Sequence, residues 1–312
     1  FKCIFCNGRF ILDKVWCKMF NYSIIIPHKN IPSLLRRCLD SIPERDDLEI
    51  IVVDDNSKED TIRDLQTIHR NNLQIIYTKE GKGAGYARNV GISKAQGKWI
   101  LFADADDYYT PEFDSFLNES VTNEVDVIFF NAQSKGYLFN RVAHLNYFID
   151  LHDKDLERAE FLLKYAFGEP WCKMVKKKFI KKNSILFEEI LIHNDTQYSY
   201  LVGFHSKTIN IDERILYITT NQPKSVSKQD SRKVVLIRAK VFAKKNAFLR
   251  KHNINYFVEP FWQCYVQKKI FLLILCTLIA LYYHISLKLI FNKILYRRHL
   301  VKCHLEVSTI PK

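Results

Sequence analysis

Short apolar runs alternate with stretches of helical periodicity along the first hundred residues. Four runs dominated by aliphatic and aromatic side chains are predicted to be buried strands, at residues 22–26, 49–53, 73–77 and 99–102. The intervening segments repeat apolar side chains every three or four positions and are predicted to be helices, at residues 33–42, 61–69 and 86–94. This alternation predicts an α/β fold with a mostly parallel, twisted sheet flanked by helices.

The pattern becomes less regular beyond residue 110. A strand is predicted at residues 125–130, a helix at 153–167, and two further strands at 208–211 and 215–219. From Arg232 the chain is helix-like and basic. We therefore expect a folded domain over residues 21–225 and a helical, basic C-terminal region over residues 226–312. Residues 1–20 are expected to be an extension outside the domain, with Met19 as the native initiator.

Acidic residues follow two of the predicted strands. Asp54 and Asp55 end the second strand, and Asp104, Asp106 and Asp107 follow the fourth. Ligands of parallel sheets bind outside the carboxyl ends of the strands, so both acidic segments are expected to face one crevice.

The Asp-Ala-Asp-Asp segment at residues 104–107 offers hard oxygen ligands, which suit Mg²⁺ or Mn²⁺ shared with phosphate oxygens. Acids alone would repel phosphates, so a bridging cation is required. Lys82 and Arg88, in and after a glycine-rich turn, are expected to offset phosphate charge.

Composition narrows the class of protein. The chain has 312 residues, 47% of them hydrophobic, which is enough for a packed core and excludes a disordered or collagen-like chain. Its eight cysteines are scattered, which fits a reducing compartment.

The excess positive charge belongs to the C-terminal region. Residues 224–312 hold 18 Lys and Arg against three acids, whereas residues 1–223 hold 29 against 31. Residues 270–283 inside this region form an uncharged apolar run, shorter than the roughly 20 residues that span hydrocarbon. An interfacial or re-entrant segment, a spanning helix and a buried core helix all remain open. The coincidence of apolar run and basic charge favours a membrane surface as partner over nucleic acid.

Four ordered segments resemble the signatures of family 2 glycosyltransferases of the GT-A fold. They are SIIIP at 23–27 with Asn30, VDDNS at 53–57, ARNVG at 87–91 and FADADD at 102–107. Later segments, WCK at 171–173 and the stretch from FEE at 187–189 to NDT at 194–196, are similar to acceptor-side segments of bacterial polysaccharide-type members. The resemblance covers about residues 22–227 and implies a nucleotide-sugar half at about 21–110 and an acceptor half at about 111–225.

The resemblance implies roles for the matching positions on the donor side. Pro27 and Asn30 would lie against the nucleotide base and ribose, with Asp54 or Asp55 at the base edge. Asp104 would face the ribose and the metal. Direct ligation would fall to Asp106, on a Mn²⁺ or Mg²⁺ that bridges the donor diphosphate, and Asp107 would orient the loop or the sugar.

On the acceptor side, the resemblance implies that Asp195 is the general base for an inverting attack on the anomeric carbon. Asn194 departs from the family, which often has an acid there, so Glu188 or Glu189 remains an alternative base beside a structural role. Trp171 is expected either in the core or as a platform for a sugar. Two further positions depart from the family, which commonly has an aromatic residue at the position of Lys29 and glycine at the position of Asn56. These departures leave the identity of the nucleotide-sugar donor open.

The function implied is metal-dependent, inverting transfer of a sugar from a nucleoside diphosphate donor, expected to be UDP-linked, to a saccharide or lipid-linked saccharide. The implied location is the cytoplasmic face of a bacterial membrane, in capsule, lipopolysaccharide or exopolysaccharide assembly. Two alternatives stay open: a sugar nucleotidyltransferase, and a non-catalytic membrane-associated scaffold of the same fold.

Overall fold

The computed structural model describes residues 4–6, 9–11, 19–120, 124–136, 140–220, 231–258, 270–286 and 288. Two short strands near the start, β1 (Ile4–Cys6) and β2 (Arg9–Ile11), pair antiparallel with each other. The remaining strands form one sheet: β3 (Tyr22–His28), β4 (Leu48–Asp55), β5 (Leu73–Thr78), β6 (Trp99–Phe102), β7 (Tyr108–Tyr109), β8 (Val127–Lys135), β9 (Lys173–Lys176) and β10 (Ile209–Thr220).

Helices connect these strands and cover the sheet. In chain order they are α1 (Pro32–Asp40), α2 (Glu59–Gln66), α3 (Ala84–Lys94), α4 (Phe113–Ser120), α5 (Ala143–Asp150), α6 (Leu156–Tyr165), α7 (Lys177–Lys182), α8 (Asp195–His205), α9 (Arg232–Lys251) and α10 (Ile270–Tyr282).

The eight strands lie in the order β5-β4-β3-β6-β9-β8-β10-β7. The first four are parallel neighbours, and β8 and β10 are also parallel. β9 runs antiparallel to β6 and β8, and β7 runs antiparallel to β10. The predicted α/β fold with a mostly parallel sheet and a helical C-terminal extension is therefore confirmed.

The central strands read as continuous apolar runs because both of their faces are covered. Every residue of β4 is buried. On one face α3 lies so close to β3 that a Cβ on Gly91 would come within 2.3 Å of Ile25 Cγ2. Glycine at this position therefore sets the depth at which α3 packs on the sheet.

Several elements differ from their predictions. The two strands expected at 208–211 and 215–219 are the single strand β10, with register irregularities around Ile215. Lys176, although basic, lies buried in β9, a strand that the sequence pattern does not predict. Its ammonium group pairs with Glu124 at 3.1 Å and lies 5.2 Å from the ring centroid of Trp99. These contacts explain how a basic residue occupies an interior strand.

The C-terminal helices form a second, smaller apolar cluster. α10 packs against α9 through side chains that include Val235, Ala239, Cys276 and Ala280. The opposite face of α10 exposes large apolar side chains, namely Phe271, Ile274, Leu278, Leu281 and Tyr282. Within the described ranges, no helix has the length and apolar character required to cross a membrane. The rest of the predicted basic region, at 226–230, 259–269, 287 and 289–312, lies outside the described residues.

Candidate active site

The two acidic segments lie at the same edge of the sheet. β3 pairs in parallel with β4 on one side and with β6 on the other, so the carboxyl ends of all three strands point the same way. His28 at the end of β3 is the register partner of Asp54 in β4, and the loop of residues 103–107 follows β6 directly. Chain topology alone thus brings together acids about 50 positions apart in sequence.

Asp54 is fully buried and its carboxylate is satisfied within the protein. Oδ1 lies 2.8 Å from Nδ1 of His28 and also accepts from the Ser57 hydroxyl, and Oδ2 accepts from the Ser57 amide at 2.9 Å. Burial would raise the pKa of Asp54, but these hydrogen bonds outweigh burial and lower it. Asp54 therefore anchors the turn that follows β4.

Asp55 has a free acceptor. Its Oδ2 accepts from the Gly83 amide at 3.0 Å and from Lys29 Nζ at 3.2 Å. Its Oδ1 is buried and has no hydrogen-bond partner among the described residues. A buried acceptor without a partner is costly, so Asp55, unlike Asp54, keeps an unused hydrogen-bond acceptor.

The loops after β3 and β4 hold each other in place. Asn30 donates its amide to Ser57 Oγ at 2.8 Å and accepts from the Lys58 amide at the same distance. Asn30 and Asn56 both adopt positive φ, 57° and 59°, a region that glycine and asparagine enter with the least strain. Asparagine at 56 therefore adopts a turn geometry that most other side chains would enter only with strain. Pro27, half-buried at the end of β3, lies directly before this pair of loops.

The acids after β6 form a tight cluster. Single carboxylate oxygens of Asp104, Asp106 and Asp107 all lie within 4.8 Å of one another. Burial, then the neighbouring charge of Asp104, raises the pKa of Asp106 to about 6, and the same causes raise the pKa of Asp107 well above its usual range. Three carboxylates at this spacing repel one another, and a divalent cation with a preference for hard oxygen ligands would relieve that repulsion.

Side chains from the other half of the sheet support this cluster. Asp107 is fully buried, where it accepts from the Tyr217 hydroxyl at 3.2 Å and from the Thr220 amide at 2.7 Å. The Tyr217 hydroxyl in turn accepts from the Asp104 amide at 2.9 Å. Arg141 places a guanidinium nitrogen 3.9 Å from Asp104 Oδ2. No local pattern predicts these three partners, Arg141, Tyr217 and Thr220, because they meet the acids only through tertiary contacts.

Arg88 joins the acidic loop to the residue that precedes α8. Its guanidinium donates to Asp104 Oδ1 at 2.7 Å and to Asn194 Oδ1 at 2.8 Å, and it lies over the ring of Phe187. The side chain is almost fully buried. Each terminal nitrogen keeps a second N–H, and Nε is buried without a hydrogen-bond partner among the described residues, so the guanidinium retains donors beyond these two bonds.

Asp195 is the first residue of α8, directly after Asn194. Burial raises the pKa of its carboxyl to about 6, against the opposing effect of Arg88. A carboxylate with a pKa near neutrality can both accept and release a proton at working pH. His193 has its pKa lowered to about 4 by burial and by Arg238, whose Nε lies 3.2 Å from His193 Nε2.

The two rival acids are bound to lysines. Glu188 forms an ion pair with Lys244 of α9, and its amide donates to the Asn194 carbonyl at 3.1 Å. Glu189 is exposed and lies 3.8 Å from Lys82, whose side chain is half exposed. Both glutamates thus tie the loop of residues 187–194 to other elements.

Trp171 lies in the core. It is 1% exposed, stacks on Tyr217 with ring centroids 5.7 Å apart, and lies under the Arg141 guanidinium. The structure therefore places Trp171 in the core, which was one of its two expected locations. Because the ring is buried, the expectation that it forms a platform for a sugar is wrong.

Comparison with known proteins accounts for this arrangement. The family model described as "Glycosyl transferase family 2" matches residues 23–184, which include the loops after β3 and β4, Arg88 and the acidic cluster. The chain belongs to this family. Its fold is thereby that of a glycosyltransferase, with the matched segment covering slightly more than half of the chain.

Among curated family members, the putative glycosyltransferase EpsH of Bacillus subtilis is 23% identical over 241 residues, which cover 74% of this chain and 70% of EpsH. The poly(ribitol-phosphate) beta-N-acetylglucosaminyltransferase TarS of Staphylococcus aureus is 33% identical over 102 residues, 30% of this chain and 18% of TarS. Several relatives are much longer, and the chain spans 26% to 30% of two others.

Solved structures share the fold. TarS residues 1–349 in complex with UDP-GlcNAc superimpose with a TM-score of 0.57 at 21% identity, over 78% of this chain and 73% of that one. The mannosyltransferase PcManGT of Pyrobaculum calidifontis, in complex with GDP-Man and Mn²⁺, gives a TM-score of 0.52 at 15% identity, over 93% and 81%.

Proposed function

We propose that this protein transfers a sugar from a UDP-linked donor to a saccharide acceptor in a metal-dependent reaction that inverts the anomeric carbon. The observation that carries the proposal is the pairing of an acidic cluster, Asp104, Asp106 and Asp107, with a carboxyl of raised pKa at Asp195. Arg88 links the two groups through Asp104 and Asn194. A metal-binding acid cluster and a separate carboxylate can supply the two functions of this reaction, stabilisation of the leaving diphosphate and deprotonation of the acceptor.

The acidic cluster fits a divalent cation. Its ligands are carboxylate oxygens, which Mg²⁺ and Mn²⁺ prefer, and Asp104 and Asp106 are the partly accessible members of the set. Bound there, the ion would neutralise charge on the departing diphosphate. Asp107 would hold the loop from beneath through Tyr217 and Thr220, so that the two outer acids keep their spacing.

Asp195 would act as the base. In its ionised form it would accept the proton of the acceptor hydroxyl while that oxygen attacks the anomeric carbon, and the sugar–phosphate bond would break on the opposite face. Glu188 and Glu189 are less suited to this step because each is paired with a lysine. We therefore assign proton transfer to Asp195 and loop positioning to the two glutamates.

The proposal of a UDP-linked donor rests on the residues that would contact the nucleotide base. Asp55 Oδ1 is a buried acceptor that could receive the imide N–H of uracil, and Pro27 and Asn30 border it on the neighbouring loop. The fold neighbour TarS has been crystallised with UDP-GlcNAc, which supports a UDP donor, whereas the neighbour PcManGT was crystallised with GDP-Man. The experiment must therefore include both nucleotides.

The direct test measures donor binding and transfer separately. Melting temperatures of the full chain would be recorded with UDP-, GDP-, dTDP- and CMP-sugars, each with and without Mn²⁺. Stabilisation by UDP-sugars that needs Mn²⁺ and disappears in Asp106→Ala supports the donor site. Stabilisation by GDP-sugars instead would overturn the choice of nucleotide, and no stabilisation by any donor would overturn the proposal.

We further propose that the C-terminal region attaches the protein to an anionic membrane surface, where the acceptor would be a lipid-linked saccharide of a bacterial cell-surface polysaccharide. α10 packs one face against α9 and exposes an apolar stripe on the other. The region from residue 224 carries 18 basic residues against three acids. An apolar stripe within a basic region binds the interface of anionic bilayers by burial and charge together.

A further inference from the structure

A polar groove lies between α5 and the strands β8 and β10, outside the site described above. Its volume is about 460 Å³, within the range of small-ligand sites. Six lining residues contribute polar side chains: Asn131, Gln133, Ser134, Asn140, Asn146 and Asp150. Ile215 of β10, which is 43% exposed, adds an apolar patch. The groove is therefore lined mainly by amides and is open to solvent.

The amides of the groove are pre-oriented and retain unused hydrogen-bonding capacity. Asn146 Nδ2 donates to Asn131 Oδ1 at 2.6 Å and to the Ala132 carbonyl at 2.8 Å. Among the described residues this leaves Asn131 Nδ2 as a donor and Asn146 Oδ1 as an acceptor for a ligand. Gln133 and Asp150 are exposed and make no side-chain hydrogen bond within the described part of the chain. The groove thus presents donors and acceptors side by side.

The charge of the lining restricts the ligand class. Among the described residues of the lining, Asp150 is the single ionisable side chain, and lysine, arginine and histidine are absent. A phosphate or carboxylate would find no countercharge there, and an apolar ligand would leave the amides unpaired. A neutral ligand with many hydroxyls fits both constraints. That is the chemistry of a saccharide.

The groove begins next to the donor site. Asn140, in the lining, precedes Arg141, whose guanidinium approaches Asp104. From there Asn146 and Asp150, four residues apart on α5, continue the lining for about 6 Å, at 1.5 Å per residue. We propose that the groove is a binding site for a neutral saccharide unit of the acceptor, remote from the sugar that reacts. Its role as an acceptor subsite rests on the proposed function, whereas saccharide binding by the groove does not.

The test measures binding of neutral trisaccharides of glucose, galactose and N-acetylglucosamine by ligand-detected NMR, on the full chain without donor. The double variant Gln133→Ala, Asp150→Ala removes two exposed side chains that support no other element. Asp153→Ala, an exposed acid three residues beyond the lining, is the matched control. We expect at least one trisaccharide to bind the wild type and the control, and the double variant to bind it at least tenfold more weakly.

A second variant and a second readout separate the two proposals. Gln133→Trp should block the groove and reduce saccharide binding in the same way, while stabilisation by UDP-GlcNAc and Mn²⁺ stays at the wild-type level. Asp106→Ala should do the reverse. Wild-type affinity in both groove variants, or no trisaccharide bound by the wild type, would overturn the groove as a saccharide site. If UDP-GlcNAc and Mn²⁺ do not stabilise the wild type, only the proposed function is contradicted.

Discussion

Arg88 and Asp104 are joined by a partly buried hydrogen bond of 2.7 Å between guanidinium and carboxylate. The second terminal nitrogen of Arg88 reaches Asn194, the residue before Asp195. One side chain of α3 thus sets the position of the acidic loop relative to the start of α8. Both proposed reaction centres depend on this link.

Arg88→Lys should separate the two centres. Lysine keeps the charge but is a single flexible point donor, so it cannot hold Asp104 and Asn194 in a fixed fork. We expect kcat to fall roughly 10–100-fold, the scale expected for misplaced reacting groups. Steady-state rates would be measured together with circular dichroism. A rate equal to that of the wild type would contradict the bridging role.

Asp106→Asn should have opposite effects on stability and on metal-dependent donor binding. In the free protein, burial and Asp104 raise the pKa of Asp106, so its charge costs stability near neutral pH. Removing that charge should raise the Tm of the metal-free protein and abolish the additional rise caused by donor with Mn²⁺. Asp114→Asn, on an exposed acid paired with Arg45, serves as a control that should not gain stability.

The rate should depend on the ionisation of Asp195. Its pKa is raised to about 6, so the carboxylate is present above that pH and is lost as the pH falls through it. At saturating donor and Mn²⁺, kcat should decline on the acid side with a midpoint near pH 6. Asp195→Asn should lose roughly 10²–10⁴-fold in kcat while still binding donor. A pH profile that stays flat down to pH 4 would rule out Asp195 as the base.

Gly85→Ala should disturb the contact between α3 and the loop of residues 187–194. A Cβ at this position would lie 2.1 Å from the Glu188 carbonyl oxygen, so the loop must move. We expect a loss of about 1–3 kcal/mol in the free energy of unfolding, the usual cost of overpacking. Gly168→Ala is the matched control because a Cβ there meets nothing within 4 Å. Denaturant unfolding of both variants would show equal losses if the contact were unimportant.

Two substitutions on α10 should weaken membrane attachment. Phe271 and Leu278 are 61% and 56% exposed on its apolar stripe, and changing both to serine removes apolar area that would enter the interface. Co-sedimentation with phosphatidylglycerol vesicles should fall by roughly tenfold or more. Leu186→Ser, at a 47% exposed leucine elsewhere, controls for lost surface hydrophobicity. Equal sedimentation of all three proteins would refute attachment through α10.

Local patterns predicted some elements closely and others not at all. β6 was predicted with its observed bounds, and β3, β4 and β5 to within one or two residues at each end, because each is an apolar run between polar turns. β9 was not predicted because Lys173 and Lys176 are its first and last residues, which leaves only two apolar residues between them. Lys173 is buried, where its ammonium donates to the Phe167 carbonyl at 3.1 Å and to Ser199 Oγ at 2.9 Å. Its interior position comes from partners that no local window contains.

α8 was also missed, for a related reason. It is buried around much of its circumference, through residues as different as Thr196, Tyr198 and Val202, and so lacks a distinct apolar stripe. Asp195 was assigned from the family resemblance alone, whereas its position at the start of a helix and its buried surroundings became evident only in the folded chain.

The sequence by itself determined the α/β class, the family and the location of the acids at strand ends. Parallel strands in chain order necessarily bring those ends to one edge. Only the tertiary structure decided which acid is satisfied and which is free at positions 54 and 55, and that Trp171 belongs to the core. It also brought Tyr217 to Asp107 across 110 positions. Such roles depend on distances between residues remote in sequence, and a local pattern carries no information about those distances.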